Sequence, residues 1–309
     1  MVAIHDIKAA RERVAGVIVR TPVLEDPCGS GLLFKAEHLQ RTGSFKLRGA
    51  TNRVMRAQAE GAEHVATGSS GNHGQAVACI AHRLGMRATI VVPRDASPAK
   101  VRGIRSYGAA VEFCGLTSDE RLARAAEIAR ARGAVFVPPY DDEDVIAGQG
   151  TVGLEILEQV PDVRVVYVPV GGGGLISGTA TALKESRPSV RVIGVEPELA
   201  NDTYLSRQRG EVVSIGPTTT IADGLRTSHP GELTWPVVQR YVDDIVLVSE
   251  DEIRAACRYL LRQAKQVVEP SGAVSVAAAM RTGGRVLAVV SGGNVDLAPE
   301  DLVPFPTPH

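Results

Sequence analysis

The sequence predicts an α/β protein with two doubly wound parallel sheets, the smaller one inserted into the larger. Strands of four to six apolar residues alternate with longer helical segments, which is typical of parallel strands joined by helical crossovers. This alternation occurs in two runs, and polar or glycine-rich loops directly follow three of the strands. We therefore expect a large domain, residues 1–63 plus 141–309, and a small domain, residues 64–140.

Each element is predicted from its apolar spacing and from the residues that begin or end helices. Apolar residues at near-helical spacing predict a first helix over residues 4–16, and a short strand at 32–37 precedes a helix that ends near Gly61. Ser249 is expected to cap a helix that starts at residue 250. The other predicted strands span 64–67, 88–92, 110–113, 134–137, 163–170, 192–195, 245–248 and 286–290. The other predicted helices span 76–84, 99–107, 119–132, 145–160, 175–185 and 271–280.

Composition excludes several classes of function. The chain of 309 residues has a formal net charge of −1, which gives no electrostatic reason to bind nucleic acid or an anionic membrane. No apolar run is long enough to span a membrane, and the histidines show no metal-binding spacing. The four cysteines form no CxxC pair, which favours a reducing, cytoplasmic location. A small molecule is therefore the expected partner.

The segment from Arg41 to Ala50 places Lys46 at the expected start of a helix, with Ser44 as the expected N-cap. Burial among apolar neighbours and the positive end of the helix dipole would both disfavour the ammonium form of Lys46. A neutral amine can form an imine with a carbonyl compound or act as a base. Taken alone, the segment fits a surface lysine better, so the reactive amine depends on the loops that follow.

The tetraglycine loop, Gly171, Gly172, Gly173 and Gly174, lies between a predicted strand and a predicted helix. Residues without Cβ let successive backbone amides approach phosphate oxygens, and the helix N-terminus adds positive potential. A flexible turn or a dinucleotide site are the alternatives. The GxGxxG pattern fails because its last position is Ile176 or Ser177, so a phosphate monoester fits better than a pyrophosphate.

Two further loops carry polar groups beyond strand ends, where ligands of open α/β sheets bind. The first, Ser69-Ser70-Gly71-Asn72-His73, offers hydroxyls and exposed amides that could receive a carboxylate; an elaborate N-cap box is the alternative. The second begins at Ser291, which precedes two glycines and could equally be a simple turn. If the strands are parallel, all three loops lie on one side of the molecule.

These motifs in this order resemble the fold type II enzymes that depend on pyridoxal 5′-phosphate (PLP), in particular the serine/threonine dehydratase and serine racemase family. The resemblance runs from Thr21-Pro22 to Asp296 and includes Ala147-Gly-Gln-Gly-Thr151 and Ile221-Ala-Asp-Gly-Leu225. It implies the fold of the tryptophan synthase β subunit, bound PLP, a homodimer, and β-elimination from a hydroxy-amino-acid substrate. L-threonine, L-serine and threo-3-hydroxyaspartate are the implied substrates, with 2-oxo acid and ammonia as products.

The resemblance also implies a role for each motif residue. Lys46 would hold PLP as an imine and remove the Cα proton, and Phe45 would pack on the ring. Asn72 would bind the ring hydroxyl, and Ser291 would face the ring nitrogen. The phosphate would lie on Gly171, Gly172, Gly173, Gly174 and Leu175. The substrate carboxylate would lie among Ser69, Ser70, Gly71 and His73.

Two residues bear on which reaction and which substrate the chain prefers. Ser70 matches the serine that acts on the opposite face from the lysine in racemase-like relatives, so racemisation of serine or aspartate is the alternative activity. Arg121 falls near a substrate-binding arginine of the racemases and could receive a second carboxylate. Tyr140, by contrast, stands where the racemases carry a polar amide, so one wall of the substrate pocket departs from their pattern.

A metal site is implied by the same relatives. Glu196, the backbone carbonyl of Ala200 and Asp202 match its spacing, and with water they would form an oxygen site for Mg²⁺ or Ca²⁺. A solvated acidic loop, or a carboxylate that binds ribose in a dinucleotide fold, are the alternatives. Two other functions are less favoured. A catalytically silent binding module would not need the activated amine of Lys46, and a nucleotide-binding oxidoreductase would be expected to have the GxGxxG pattern that is absent here.

Overall fold

The computed structural model describes residues 1–116 and 118–295, and within them the chain forms two sheets. The larger sheet has the strand order β1-β2-β10-β7-β8-β9, and the smaller has the order β5-β4-β3-β6. The strands are β1 (Val23–Glu25), β2 (Leu33–Ala36), β3 (His64–Gly68), β4 (Arg87–Val92), β5 (Ala110–Phe113), β6 (Val135–Phe136), β7 (Val165–Pro169), β8 (Arg191–Pro197), β9 (Asp244–Val248) and β10 (Leu287–Val290).

The helices connect these strands and cover the sheets. They are α1 (Ile4–Val14), α2 (Lys46–Ala59), α3 (Asn72–Arg83), α4 (Pro98–Arg105), α5 (Ser118–Arg132), α6 (Glu143–Gln159), α7 (Gly174–Ser186), α8 (Asp202–Arg209), α9 (Thr234–Tyr241), α10 (Glu250–Arg262) and α11 (Pro270–Ala279). Short 3-10 turns span Glu37–Leu39 and Asp223–Leu225. No helix in the described part of the chain is long and apolar enough to cross a membrane.

The predicted α/β class is confirmed, with one exception to the parallel pairing. Every pair of neighbouring strands is parallel except β1 and β2, which are antiparallel at the edge of the larger sheet. The prediction missed β1, α8 and α9. Helix α3 begins at Asn72, four residues before its predicted start at Ala76. Ser249 caps α10 as expected, in a capping box with Glu252.

Apolar side chains fill both faces of each sheet, because successive residues of a strand point to opposite faces. In the larger sheet, Tyr167 of β7 packs with α10 and α11, while its neighbours Val166 and Val168 pack with α6, α7 and α9. In the smaller sheet, Val65 faces α2, α3 and α4, and Ala66 faces α5. The smaller sheet uses only strands from within 64–140. The domain boundaries given above stay a prediction.

Helices α2 and α6 cross in close contact where each carries a glycine. A Cβ on Gly49 would come 2.7 Å from the carbonyl oxygen of Val145, and a Cβ on Gly148 would come 2.6 Å from the Cα of Gly49. The backbone amide of Gly49 donates to Oε1 of Gln149, 3.1 Å away. The motif Ala147–Thr151, which contributed to the family resemblance, therefore lies against the helix that begins at Lys46.

A buried ionic network joins α2, α6 and β2 beside this crossing. The guanidinium of Arg48 donates to Glu37 at 2.7 Å and to Glu155 at 2.7 Å, and Lys35 donates to Glu155 at 2.5 Å. The side chains of Arg48, Glu37 and Lys35 have no exposed surface, and that of Glu155 is 9% exposed. Thr21 adds a hydroxyl contact to Glu37. Two cations and two carboxylates thus neutralise each other inside the protein.

Arg48→Met should lower the free energy of unfolding by about 3 kcal/mol, because it leaves two buried carboxylates short of their shared partner. The matched control is Arg56→Met on the same helix. The side chain of Arg56 is 53% exposed and pairs with Glu60 and Asp144. Because such exposed pairs contribute little, the free energy of unfolding should fall by no more than about 1 kcal/mol. Urea unfolding of both variants measures the difference. Equal losses would mean that the network contributes no more than a surface pair.

Candidate active site

The three loops singled out in the sequence all begin where parallel strands end. β3 ends at Gly68, β7 at Pro169 and β10 at Val290, and each loop follows within two residues. Two of the loops touch directly, since Nδ2 of Asn294 donates to Oδ1 of Asn72 at 2.8 Å. This contact agrees with the prediction that the loops lie on one side of the molecule.

The start of α2 is attached to the loop after β10. Ser44 pairs with Gly292 as an isolated antiparallel bridge, and the amide of Phe45 donates to the carbonyl of Ser291 at 3.0 Å. Ser44 is therefore not the N-cap, and that prediction is wrong: Phe45 occupies the cap position, and no side chain caps the helix. The strand-like pairing takes the Ser44 backbone away from the helix. Its buried hydroxyl has no hydrogen-bond partner among the described residues.

Lys46 is the first residue of α2, as the sequence predicted, and its ammonium group lies in the protein rather than at the surface. Nζ donates to the carbonyl oxygen of Pro139 at 2.6 Å and lies 5.2 Å from the centroid of the Phe45 ring. Burial lowers the pKa of Lys46 from 10.5 to about 8. The amine is thus partly neutral near physiological pH and can act as a nucleophile or a base.

The tetraglycine loop is enclosed so closely that side chains would not fit. A Cβ on Gly172 would come 2.4 Å from the ring of Tyr140, and a Cβ on Gly174 would come 2.9 Å from the Cβ of Tyr140. Gly173 has a φ of +91°, a conformation that suits glycine. Gly174 begins α7 and the adjoining Leu175 is buried, so the amides of this loop lie at a helix N-terminus where phosphate can bind.

The loop after β3 leads into α3. Ser69, Ser70, Gly71 and Asn72 are partly exposed, whereas His73 is buried. Nε2 of His73 lies 3.0 Å from the carbonyl of Val137, and burial lowers the pKa of His73 to about 3. The ring is therefore neutral and donates to that carbonyl. Positive potential for a carboxylate here comes from backbone amides at the start of α3.

The amide of Asn72 has an acidic partner that the sequence analysis missed. Nδ2 of Asn72 donates to Oε1 of Glu269 at 2.6 Å, and Glu269 is the residue before α11. Ser291 is also buried, with its hydroxyl 3.4 Å from the carbonyl of Ser271. No sequence motif marks an acidic residue in this position, directly before a proline at the start of a helix, as part of a site. Only the fold, which brings it to Asn72 from 197 positions away, reveals the contact.

Arg121 lies in α5 beside the end of β3. A Cβ on Gly68 would come 2.6 Å from the carbonyl oxygen of Arg121, so the two backbones are in close contact. Nη1 of Arg121 donates to the carbonyl of Leu116 at 3.1 Å. The predicted role of Arg121 in binding a second carboxylate stays a prediction.

Glu196 and Asp202 form a buried acidic pair at the carboxyl end of β8, the strand paired with β7. Both have no exposed surface, and Ala200 between them is buried. The amides of Thr203 and Tyr204 donate to Glu196, but neither carboxylate oxygen of Asp202 has a hydrogen-bond partner among the described residues. Burial raises the pKa of Asp202 to about 7, and burial together with Asp202 raises that of Glu196 well above its ordinary value.

A metal ion would neutralise this pair, but side chains alone do not complete a site. In the described ranges, no group of three His, Cys, Asp or Glu side chains could hold a metal ion. The carbonyl of Ala200 and water would have to supply the other ligands. The metal site therefore stays a prediction.

Comparison with known proteins agrees with this geometry. The family model for pyridoxal-phosphate dependent enzymes matches residues 14–292. The L-threonine ammonia-lyase of Thermotoga maritima is 45% identical over 307 residues, covering 96% of this chain and 77% of that protein. The serine racemase of Oryza sativa is 40% identical, covering 95% of this chain and 91% of that protein.

Among solved structures, a threonine deaminase from T.th. superposes with a TM-score of 0.91 at 42% identity, covering 96% of this chain and all of that one. Sequence, fold and loop geometry lead to one conclusion. The chain belongs to the family of pyridoxal-phosphate dependent enzymes.

Proposed function

We propose that this protein eliminates the β-hydroxyl group of L-threonine, L-serine or a related 3-hydroxy amino acid such as threo-3-hydroxyaspartate. Loss of water leaves an enamine acid, and hydrolysis of its imine tautomer takes up one water and gives a 2-oxo acid and ammonia. The observation that carries the proposal is Lys46, an amine with a pKa of about 8 beside the strand-end loops. Relatives that are an L-threonine ammonia-lyase and a threonine deaminase support the choice of reaction.

The residues present fit the cofactor of this family. Bound PLP supplies a carbonyl for the amino group of the substrate and a conjugated ring that stabilises negative charge at Cα. The position of the tetraglycine loop at the N-terminus of α7, where backbone amides lack helical partners, supports assigning the phosphate there. We assign the phosphate to Gly171, Gly172, Gly173, Gly174 and Leu175, the ring face to Phe45, the ring oxygen to Asn72 and the ring nitrogen to Ser291.

In this proposal Lys46 both attaches the cofactor and moves the proton. Because its pKa is about 8, roughly a tenth of the amine is neutral at pH 7, far more than for an ordinary lysine. As a free amine, Nζ of Lys46 would accept the Cα proton of the substrate. Ser291 cannot hold a proton on the ring nitrogen as an aspartate would. Charge at Cα is then stabilised less, which favours prompt loss of the β-hydroxyl.

We assign the substrate carboxylate to Ser69, Ser70, Gly71 and His73. The partial exposure of the first three and the helix N-terminus behind them support this assignment. His73 contributes through its backbone amide, since its neutral ring is engaged with Val137. We assign a second carboxylate, as in hydroxyaspartate, to Arg121.

Racemisation of serine or aspartate is the second candidate activity. It needs a proton donor or acceptor on each face of Cα, and Lys46 serves one face only. Ser70 is the candidate for the other face, and the 40% identity to a serine racemase supports it. A serine hydroxyl is a weak base unless a neighbour activates it, so elimination is expected to dominate.

We also propose a Mg²⁺ or Ca²⁺ ion at Glu196, the carbonyl of Ala200 and Asp202. Two buried carboxylates with raised pKa values, one without a hydrogen-bond partner in the described chain, support a cation there. Such a site is made of oxygen ligands, which these ions prefer.

The family resemblance bears on assembly, and the cysteines bear on location. We propose a homodimer, which analytical ultracentrifugation would test, and domains formed by residues 1–63 with 141–309 and by residues 64–140. We also propose a cytoplasmic location, where the four free cysteines of the described chain would stay reduced.

Lys46→Ala should fold as the parent does and lower kcat for L-threonine or L-serine at least about 10³-fold, because the imine partner and the base are lost together. The matched control is Lys8→Ala, which removes an exposed lysine of α1 and should leave turnover unchanged. Release of 2-oxo acid is the measurement. Parental turnover in the Lys46 variant would disprove the assignment.

Ser70→Ala should abolish reaction with D-substrates and any exchange between L and D isomers, while elimination from the L-isomer falls by no more than about tenfold. The reason is that only Ser70 serves the second face of Cα, whereas Ser69, Gly71 and His73 can still bind the carboxylate. Ser69→Ala is the control, and it should weaken both reactions together through substrate binding. Chiral chromatography and 2-oxo acid release measure the two reactions. A Ser70 variant that keeps D-activity and loses L-elimination would reverse the face assignment.

Mg²⁺ or Ca²⁺ should raise the melting temperature more at pH 8 than at pH 5. Between pH 4 and 7 the folded protein retains a proton on the Glu196–Asp202 pair that the unfolded chain releases, so stability without metal falls as pH rises through this window. A cation replaces that proton. The effect should be absent in Asp202→Asn and retained in Asp251→Asn, an exposed acid. If neither chelator nor cation changes the melting temperature at pH 8, the proposed metal site is wrong.

A further inference from the structure

Glu269 is a buried acid that neither the sequence motifs nor the proposed mechanism employs. It lies between α10 and α11, and 6% of its surface is exposed. Its backbone amide donates to the carbonyl of Gly292 at 3.2 Å, and a Cβ on Gly292 would come 2.3 Å from its Oε1. The carboxylate is thus packed against the loop that follows β10, next to Ser291.

The amide of Asn72 is held from two sides. Its Nδ2 donates to Oε1 of Glu269 at 2.6 Å, and its Oδ1 accepts from Nδ2 of Asn294 at 2.8 Å. Asn294 is fixed in turn, because the same nitrogen donates to the carbonyl of Thr42 at 2.8 Å. Rotating the Asn72 amide by 180° would bring two NH₂ groups together, so this arrangement allows one orientation.

An amide NH₂ group can donate two hydrogen bonds, and Glu269 accepts only one of them from Asn72. The second remains for a ligand, and its direction is set by the two contacts just described. In the proposed site that ligand is the ring oxygen of PLP, so the inference below rests on the assignment of Asn72.

We propose that Glu269 is a positioning residue: it orients the Asn72 amide towards the ring oxygen of the cofactor, and its protonation state tunes that contact. A carboxylate that accepts from one N–H weakens the donor strength of the other, and its charge repels a negative ring oxygen. A protonated Glu269 can still accept from Asn72 through its carbonyl oxygen, but it carries no charge, so both effects are weaker. The proton on Glu269 therefore controls how much negative charge the ring oxygen can carry.

The surroundings of Glu269 favour titration in the neutral range. Burial raises its pKa to about 7, and the charge of Asp223 also raises it. Hydrogen bonding from Asn72, the charge of Lys100 and the backbone amide of Asn294 act in the opposite direction. Lys100 and Asp223 form an ion pair at 2.7 Å, and Cys257 of α10 faces the same carboxylate.

The test is the visible absorption of the holoenzyme as a function of pH. In the parent, the bands of bound PLP should shift with an inflection near pH 7. Glu269→Gln can still accept from Asn72 but cannot titrate, so it should bind PLP within about threefold of the parent and lose this inflection. Glu269→Leu loses the contact and should bind PLP about tenfold more weakly. A Gln variant with the parental inflection, or a Leu variant that binds PLP as tightly as the Gln variant, would overturn the proposal.

Two further variants identify the titrating group. Asp223→Asn removes a negative charge and should move the inflection to lower pH, while Lys100→Met removes a positive charge and should move it to higher pH. An inflection that ignores both changes belongs to a group other than Glu269 and would overturn the proposal, whether or not the Leu variant folds.

The Asn72→Ala variant distinguishes a failure of the Glu269 proposal from a failure of the Asn72 assignment on which it rests. If Asn72 binds the ring oxygen, its removal should change the PLP spectrum at every pH. A parental spectrum in this variant would show that the assignment of Asn72 is wrong. A changed spectrum in Asn72→Ala, together with a parental inflection in Glu269→Gln, would support the assignment of Asn72 and contradict the role proposed for Glu269.

Discussion

The close crossing of α2 over α6 is the constraint on which the site depends. Val145 and Gly148 of α6 lie so near Gly49 that a side chain at either glycine would force the two helices apart. This fixes the first turn of α2, and Lys46 with it, relative to the larger sheet. Arg48 lies in the same turn, and its charge-assisted hydrogen bonds to Glu37 and Glu155 hold that turn against the 3-10 turn after β2 and against α6. A reactive amine is thereby placed by rigid helices rather than by a mobile loop.

The polar groups around Lys46 are held by contacts between segments distant in sequence. Ser44 and Phe45 pair with the loop after β10, Asn294 of that loop binds Asn72, and Asn72 binds Glu269. Each buried donor or acceptor removed from this chain of contacts would leave another unpaired, which costs more than the contact itself contributes. The positions of the site groups are therefore interdependent.

Most of the architecture could be predicted because its signals are local. β-branched runs such as residues 163–170 and the alternation of strands with longer helices predict parallel sheets, and the loops at the carboxyl ends of these strands predict where a ligand would bind. The elements missed have weak signals. β1 is three residues long, α8 has no apolar period, and α9 carries Pro236 within its first turn.

The errors within the site have a different origin. Ser44 looks like a helix cap in sequence, but its pairing with Gly292, far along the chain, takes precedence over the local preference. Glu269 has no motif, and its role comes from meeting Asn72 in space. Helix α2 starts at Lys46 as predicted, and the pKa of Lys46, lowered by burial, agrees with the expected environment; its role in catalysis stays a prediction.

The central claim, that Lys46 carries the cofactor, is tested most directly by trapping the link. Borohydride reduction of the holoenzyme should abolish its visible absorption band, and peptide mapping by mass spectrometry should find the reduced pyridoxyl group on the peptide containing Lys46. A modification confined to any other lysine, or a visible band that persists after reduction, would contradict the account.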